Sequence, residues 1–173
     1  SVTATLAINF TKTDTQSPTI SSFSVNTSTL TWYSSSSSSN KTATFTAVVS
    51  DNVGINSISI NGGTQTNVSG NTYTFTKSFS RPTLSNSISN AVTLTVQDAA
   101  SNSSSNTIYV TTNHVDNTPP VISSFSANNT SISLNTTSSQ TQTITFTATV
   151  TDNLSINNVS LPNTTFVSSS GNS

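Results

Sequence analysis

The sequence predicts an all-β fold built of two-sheet sandwiches of about seven strands each, joined in tandem. Three observations lead there. Apolar residues alternate with Ser or Thr in segment after segment, the period of a strand with one face in a core. No segment carries the apolar stripe of a helix. The chain also repeats with a period of about one hundred residues, the size of one sandwich and far longer than a solenoid repeat. DTQSPTISSFSV from Asp14 returns as DNTPPVISSFSA from Asp116, and TFTAVVSDNVGINSISI from Thr44 returns as TFTATVTDNLSINNVSL from Thr145.

The repeat divides the chain. Residues 1–13 match the end of the complete unit, with Leu6 and Ile8 falling where Ile108 and Val110 fall, and are expected to be the last strand of a preceding domain. Residues 14–115 are expected to be one whole domain, and residues 116–173 the first half of a following one. With Ser1 at the start and no methionine anywhere, an internal piece of a longer protein is expected.

Strands are expected at 19–25 with 28–33, 41–50, 55–60, 64–69, 71–80, 91–97 and 106–113. Ala43, Phe45, Ala47 and Val49 fall on one face, with Thr42, Thr44 and Thr46 on the other. Ile58 with Ile60, the set Tyr73, Phe75 and Phe79, the set Val92, Leu94 and Val96, and Ile108 with Val110 repeat the pattern. Thr suits the outer face because its branched β-carbon fits a pleated surface and its hydroxyl tolerates water. Asn61-Gly62-Gly63 and Gly70-Asn71 offer positive-φ residues for tight hairpins, and Pro18, Pro119 and Pro120 mark linkers.

Composition excludes several roles. Charged residues are 5% and hydrophobic residues 31% of the chain, with a formal net charge of -1, against about 25% and about 45% in an ordinary soluble domain. More than half the residues are Ser, Thr or Asn. Leu, Ile, Val and Phe still exceed the roughly 20% below which a chain fails to order itself. Without cysteine there is no disulfide and no thiolate metal site. No apolar run reaches the roughly 18 residues of a membrane-spanning helix. The four cations, Lys12, Lys41, Lys77 and Arg81, are scattered, so neither nucleic acid nor an anionic membrane is an expected partner.

The D-x-x-P-P type of linker, the strand motif TFTAxVxDNxGI and the segment VTLTVQDAASN resemble the bacterial immunoglobulin-like and cadherin-like tandem repeats of large extracellular, adhesin-type surface proteins. The resemblance covers essentially the whole chain. It implies immunoglobulin-like Greek-key sandwiches, a spacer or adhesive role, and calcium at domain junctions. It departs at one place: the family often has Gly before Asn in its DxAGN-type turn, where this chain has Ser101 before Asn102.

The five acidic residues occupy only three positions of the repeat: Asp14 and Asp116 in the linkers, Asp51 and Asp152 after the strand at 41–50 and its counterpart, and Asp98 after the strand at 91–97. In an immunoglobulin-like sandwich these loops meet at one end, so the carboxylates are expected to converge there with oxygens of Asn52, Asn102, Asn117 and Asn153. Clustered carboxylates without a nearby cation repel one another, and Ca2+, which takes six to eight oxygen ligands, resolves that conflict. The alternative is turn chemistry alone, Asp and Asn accepting bonds from backbone two residues on.

Other constellations are thinner. Glu and Cys are absent, and the one histidine, His114, lies beside a linker, so no nucleophile has a base and the chain is expected not to be an enzyme. His114 with Asp116 could hold a metal or respond to pH, but an exposed, passive linker histidine is the expectation. Lys77 falls in the inward phase of Tyr73, Phe75 and Phe79, which predicts a bulge or a snorkelling stem ahead of an isopeptide, whose usual catalytic Glu is missing. Thr-x-Thr rows resemble ice-binding arrays and equally an ordinary solvent face. Sequons such as Asn26, Asn67, Asn128 and Asn163 are what chance yields in this composition.

The expected function is mechanical: an extracellular stalk or filament repeat on a cell or virion surface, its partners being neighbouring repeats or other copies. One rival is a carbohydrate-binding module, with Trp32 and Tyr33, and Tyr73 or Tyr109, stacking on a surface glycan. Others are a viral or phage fibre module, and a filament subunit that donates the alternating strand Val2, Ala4, Leu6, Ile8 and Phe10 to a neighbour.

Overall fold

A computed structural model of the chain describes residue 3, residues 13–133 and residues 141–165. The alternating strand expected at residues 2–10 lies outside the described residues. Among those described there is no helix, and in particular none long and apolar enough to cross a membrane.

Eight strands follow one another from residue 19 to residue 115: β1 Thr19–Val25, β2 Thr29–Tyr33, β3 Asn40–Ser50, β4 Ile55–Ile60, β5 Thr64–Ser69, β6 Thr72–Ser80, β7 Ser87–Asp98 and β8 Ser103–Val115. They form two four-stranded sheets, ordered β1-β3-β6-β5 and β2-β8-β7-β4. All neighbours are antiparallel except β2 and β8, which run parallel. The inward positions of both sheets meet in one core, as in a β-sandwich: Phe23, Ala43, Phe45, Ala47, Val49, Phe75 and Phe79 from one sheet, and Leu30, Trp32, Ile60, Val92, Leu94, Val96 and Val110 from the other. Each large aliphatic or aromatic side chain buried this way contributes about 1.5–3 kcal/mol over exposure, so the alternation and not the sparse charge holds the fold.

Three features of the sheets depart from the expected pattern. The segments 19–25 and 28–33 do not share a sheet. β1 pairs with β3, and after Asn26–Ser28 the chain crosses to pair with β8. The Asn26 side chain fixes the crossing by accepting Thr44 N–H at 2.9 Å. Likewise Asn61-Gly62-Gly63 is no hairpin, because β4 and β5 belong to opposite sheets. Gly62 takes φ 66°, and a Cβ on Gly63 would lie 2.4 Å from Ile60, so this link is built around a missing side chain. Gly70-Asn71 does close a two-residue hairpin between Ser69 and Thr72, with Gly70 at φ 58°. Finally, β7 and β8 extend beyond 91–97 and 106–113. Ser87–Asn90 holds a single apolar residue, the exposed Ile88, and Ser103–Ser105 holds none, so neither shows a sustained alternation, yet they complete a ladder running from Ser87↔Asn113 to Gln97↔Ser103.

Strands β9 Val121–Ala127 and β10 Phe146–Thr151 pair antiparallel in a separate two-stranded sheet. Their register copies β1 and β3 closely. Ile20↔Val49 is followed by Ser22↔Val48, and Ile122↔Val150 by Ser124↔Thr149, so both pairs carry the irregularity at the matching place. Asn128 accepts Thr145 N–H at 3.0 Å as Asn26 accepts Thr44 N–H.

Candidate functional site

β3 delivers Asp51 and β7 delivers Asp98 to the end of the sheets where β1 begins, since Thr19 pairs with Ser50 and Ile55 with Asp98. Asp14 precedes β1 at the same end. One carboxylate oxygen from each of Asp14, Asp51 and Asp98 lies within 4.8 Å of the others.

Neutral N–H groups surround the three. Asp98 is 1% exposed, and Asn102 donates to both its oxygens, from its backbone N at 2.9 Å to Oδ1 and from Nδ2 at 2.8 Å to Oδ2. The same Nδ2 reaches the backbone carbonyls of Asp14 at 3.3 Å and Gln16 at 3.4 Å, tying the linker to the turn after β7. Asp51 Oδ2 accepts Val53 and Gly54 N–H, both at 2.9 Å, while its Oδ1 is buried with no hydrogen-bond partner. Asn52 Nδ2 donates to Asp14 Oδ1 at 3.2 Å, beside Gln16 N–H at 3.1 Å. The described cations are engaged elsewhere: Lys41 donates to the Thr31 carbonyl, Lys77 to the Asn61 carbonyl and Arg81 to the Ser36 carbonyl.

The segment around β9 and β10 reproduces part of this. Asn153 Nδ2 donates to Asp116 Oδ1 at 3.1 Å, Leu154 N–H to Asp152 Oδ1 at 2.9 Å, and Asp152 Oδ2 is buried without a partner. Asp116 therefore belongs with Asn153, not with the cluster of Asp14, Asp51 and Asp98. Its carboxyl is held below the ordinary carboxylate range, first by Thr118 N–H and then by the Asn153 amide and the Ser34 hydroxyl. Asn117 is turned the other way, toward Ser34 and Ser35.

The remaining candidates separate. Trp32 is 0% exposed in the core, whereas Tyr33 is 49% exposed. Consecutive strand residues face opposite sides, so the pair cannot form one platform. Tyr109 is 62% exposed on β8, but Tyr33 lies opposite Val115, six residues or about 20 Å further along. His114 is not an exposed linker residue. It is buried in the inward phase of Val110 and Thr112, with its Nδ1 2.9 Å from the Pro82 carbonyl. That parity was the signal that placed it inside. Lys77 snorkels: the β3–β6 register is unbroken around it, and its Nζ leaves the core side to reach Asn61 O at 2.7 Å. Partial burial holds its pKa below the usual value.

Ser101, standing where the resembled repeats have Gly, adopts φ 73°, the left-handed region that Gly tolerates best. Sequence reasoning missed Ser34, which bonds to the linker at Asp116 (Oγ to Oδ1, 2.9 Å). No known protein family, curated protein or solved structure matches the chain.

Proposed function

We propose that this chain is a stretch of a tandem array of immunoglobulin-like Greek-key sandwiches, with boundaries near residues 14 and 115, and that the array is a non-enzymatic extracellular spacer. The sheet orders β1-β3-β6-β5 and β2-β8-β7-β4 support the immunoglobulin-like reading, because they correspond to strands ABED facing CFG, with the first strand divided between the sheets. The shared register and side-chain bonds of β1–β3 and β9–β10 support the repeat.

The observation that carries the spacer reading is the position of the two linkers. The chain arrives at the end where Thr19 meets Ser50 and leaves at the opposite end, where Val115 meets Tyr33 and Asn113 meets Ser87. Units joined this way stack lengthwise instead of folding back. A surface with few charges, rich in hydroxyls, stays solvated without relying on charge repulsion that salt would screen.

Calcium at the junctions is part of the proposal. Oxygens bound to one Ca2+ at about 2.3–2.6 Å lie no more than about 5 Å apart, which the 4.8 Å grouping of Asp14, Asp51 and Asp98 satisfies. The buried Asp51 Oδ1 offers a ligand atom that no protein donor uses.

The test is a set of polypeptides carrying one to four tandem copies of residues 14–115, measured by small-angle scattering. β8 has 13 residues, so each copy is expected to lengthen the particle by a constant increment of about 40 Å. A maximum dimension that stops growing after two copies would sink the spacer reading.

A further inference from the structure

The corner after β2 does more than turn the chain. Ser34 N–H donates to the Val115 carbonyl at 2.9 Å, which sets the corner against the last residue of β8. From there the Ser34 hydroxyl lies 2.9 Å from Asp116 Oδ1, 2.9 Å from Asn117 Oδ1 and 2.7 Å from the Thr118 hydroxyl, and it accepts Asn117 N–H at 3.1 Å. Having one proton, Ser34 donates to one of the two side-chain oxygens at a time, while the Thr118 hydroxyl donates to Ser34. Ser35 adds its backbone N–H to Asn117 Oδ1 at 3.3 Å and accepts Asn117 Nδ2 at 3.2 Å. Three consecutive linker residues are thus held by two residues of the preceding sandwich.

The same linker is held from the other side. Asp116 Oδ1, which accepts from Ser34, also accepts Asn153 Nδ2 at 3.1 Å from the turn after β10. One carboxylate oxygen therefore bridges the two repeats. Sequence separation gives no hint of this, since Ser34 and Asp116 are 82 positions apart.

We infer that the Ser34–Ser35 corner is a docking surface for the leading segment Asp116–Thr118 of the next repeat, forming a hydroxyl-amide clasp that fixes the angle between consecutive units. The clasp rests on the tandem-array reading for its role between units, and on the bonds above for this joint, whose Asn117 and Thr118 stand where the earlier linker has Thr15 and Gln16. Its partner is defined by chemistry: an Asp-Asn-Thr segment whose side chains each present a polar atom to one serine hydroxyl. Apart from Asp116 its members are neutral, so salt screening leaves most of it intact. It needs no metal ion, so the joint is held even where calcium is scarce.

The natural absence of cysteine allows clean spin labelling of the full chain at exposed Thr66→Cys and Ser126→Cys. Double electron–electron resonance in chelator is expected to give a narrow inter-label distance distribution in the otherwise wild-type chain. In Ser34→Ala/Asn117→Ala the width should at least double, with the melting temperature of the first sandwich unchanged, and Ser34→Thr, which keeps the hydroxyl, should restore the narrow distribution. Equal widths in wild type and double variant, or a distribution already broad in the wild type, would overturn the clasp. Either result leaves the tandem array untouched, because that reading depends on the growth of multi-copy chains in scattering.

Discussion

Asn102 grips Asp98 twice, with its backbone N–H on Oδ1 at 2.9 Å and its side-chain amide on Oδ2 at 2.8 Å. The carboxylate so held is almost wholly buried at the end of β7. Asn102→Ala removes the side-chain donor while leaving the charge inside. Stranding a buried charged acceptor costs about 2–3 kcal/mol, so the urea midpoint of the variant should fall with its m-value unchanged. A loss below about 0.5 kcal/mol, typical of an exposed site, would contradict the arrangement.

Removing Ca2+ tests the cluster of Asp14, Asp51 and Asp98. An ion that binds only the folded state adds about 2.7 kcal/mol at a hundred times its dissociation constant, so the melting temperature in calcium should exceed that in chelator by several degrees. Asp51→Ala should abolish the difference. Identical melts of the wild type in the two buffers would leave the aspartates as turn formers.

Two backbone positions give opposite signs. Ser101 sits at φ 73° and should be improved by Ser101→Gly, since the left-handed conformation costs a residue with a Cβ about 1–2 kcal/mol. Gly63→Ala must push a new methyl against Ile60, 2.4 Å away, and toward the Thr76 carbonyl at 3.0 Å. Overpacking of that kind costs about 1–3 kcal/mol. Equilibrium denaturation of both variants checks the pair, and matching signs would refute the assigned geometry.

Acid should loosen the joint between β8 and β9. The Asp116 carboxyl is held below its ordinary value by Thr118 N–H, Asn153 and Ser34. A group depressed in the folded state lends stability above its unfolded value, about 3.9 for Asp, and loses it as pH falls through the lower folded value. The inter-label distribution should therefore stay narrow at neutral pH and broaden only below about pH 4. Asp116→Asn should remove that transition.

Strand positions were legible because alternation needs no knowledge of partners. Ala43, Phe45, Ala47 and Val49 declare a buried face wherever β3 pairs. Partnership was not legible: Asn61-Gly62-Gly63 looks like a hairpin turn but leads from one sheet to the other, since turn residues specify φ and not the destination. The meeting of Asp14, Asp51 and Asp98 was readable from the sandwich layout, which brings the loops after the strands at 41–50 and 91–97 to the end where the first strand begins. Ser34 was hidden among six consecutive serines, and only the register of β2 against β8 brings it to Asp116. Trp32 and Tyr33 adjoin in sequence, but strand parity separates them, one in the core and the other exposed.

The parallel pairing of β2 with β8 bears on tension. A pull along the chain draws β2 back toward the Asp14 end and β8 forward toward the Asp116 end, so the ladder from Thr29↔Thr111 to Tyr33↔Val115 is loaded in shear. Bonds loaded in shear share the force and must yield together, unlike a zipper that parts one bond at a time. Single-molecule stretching should therefore record an abrupt rupture for this unit, and Leu30→Pro, which removes a donor within that ladder, should lower the rupture force.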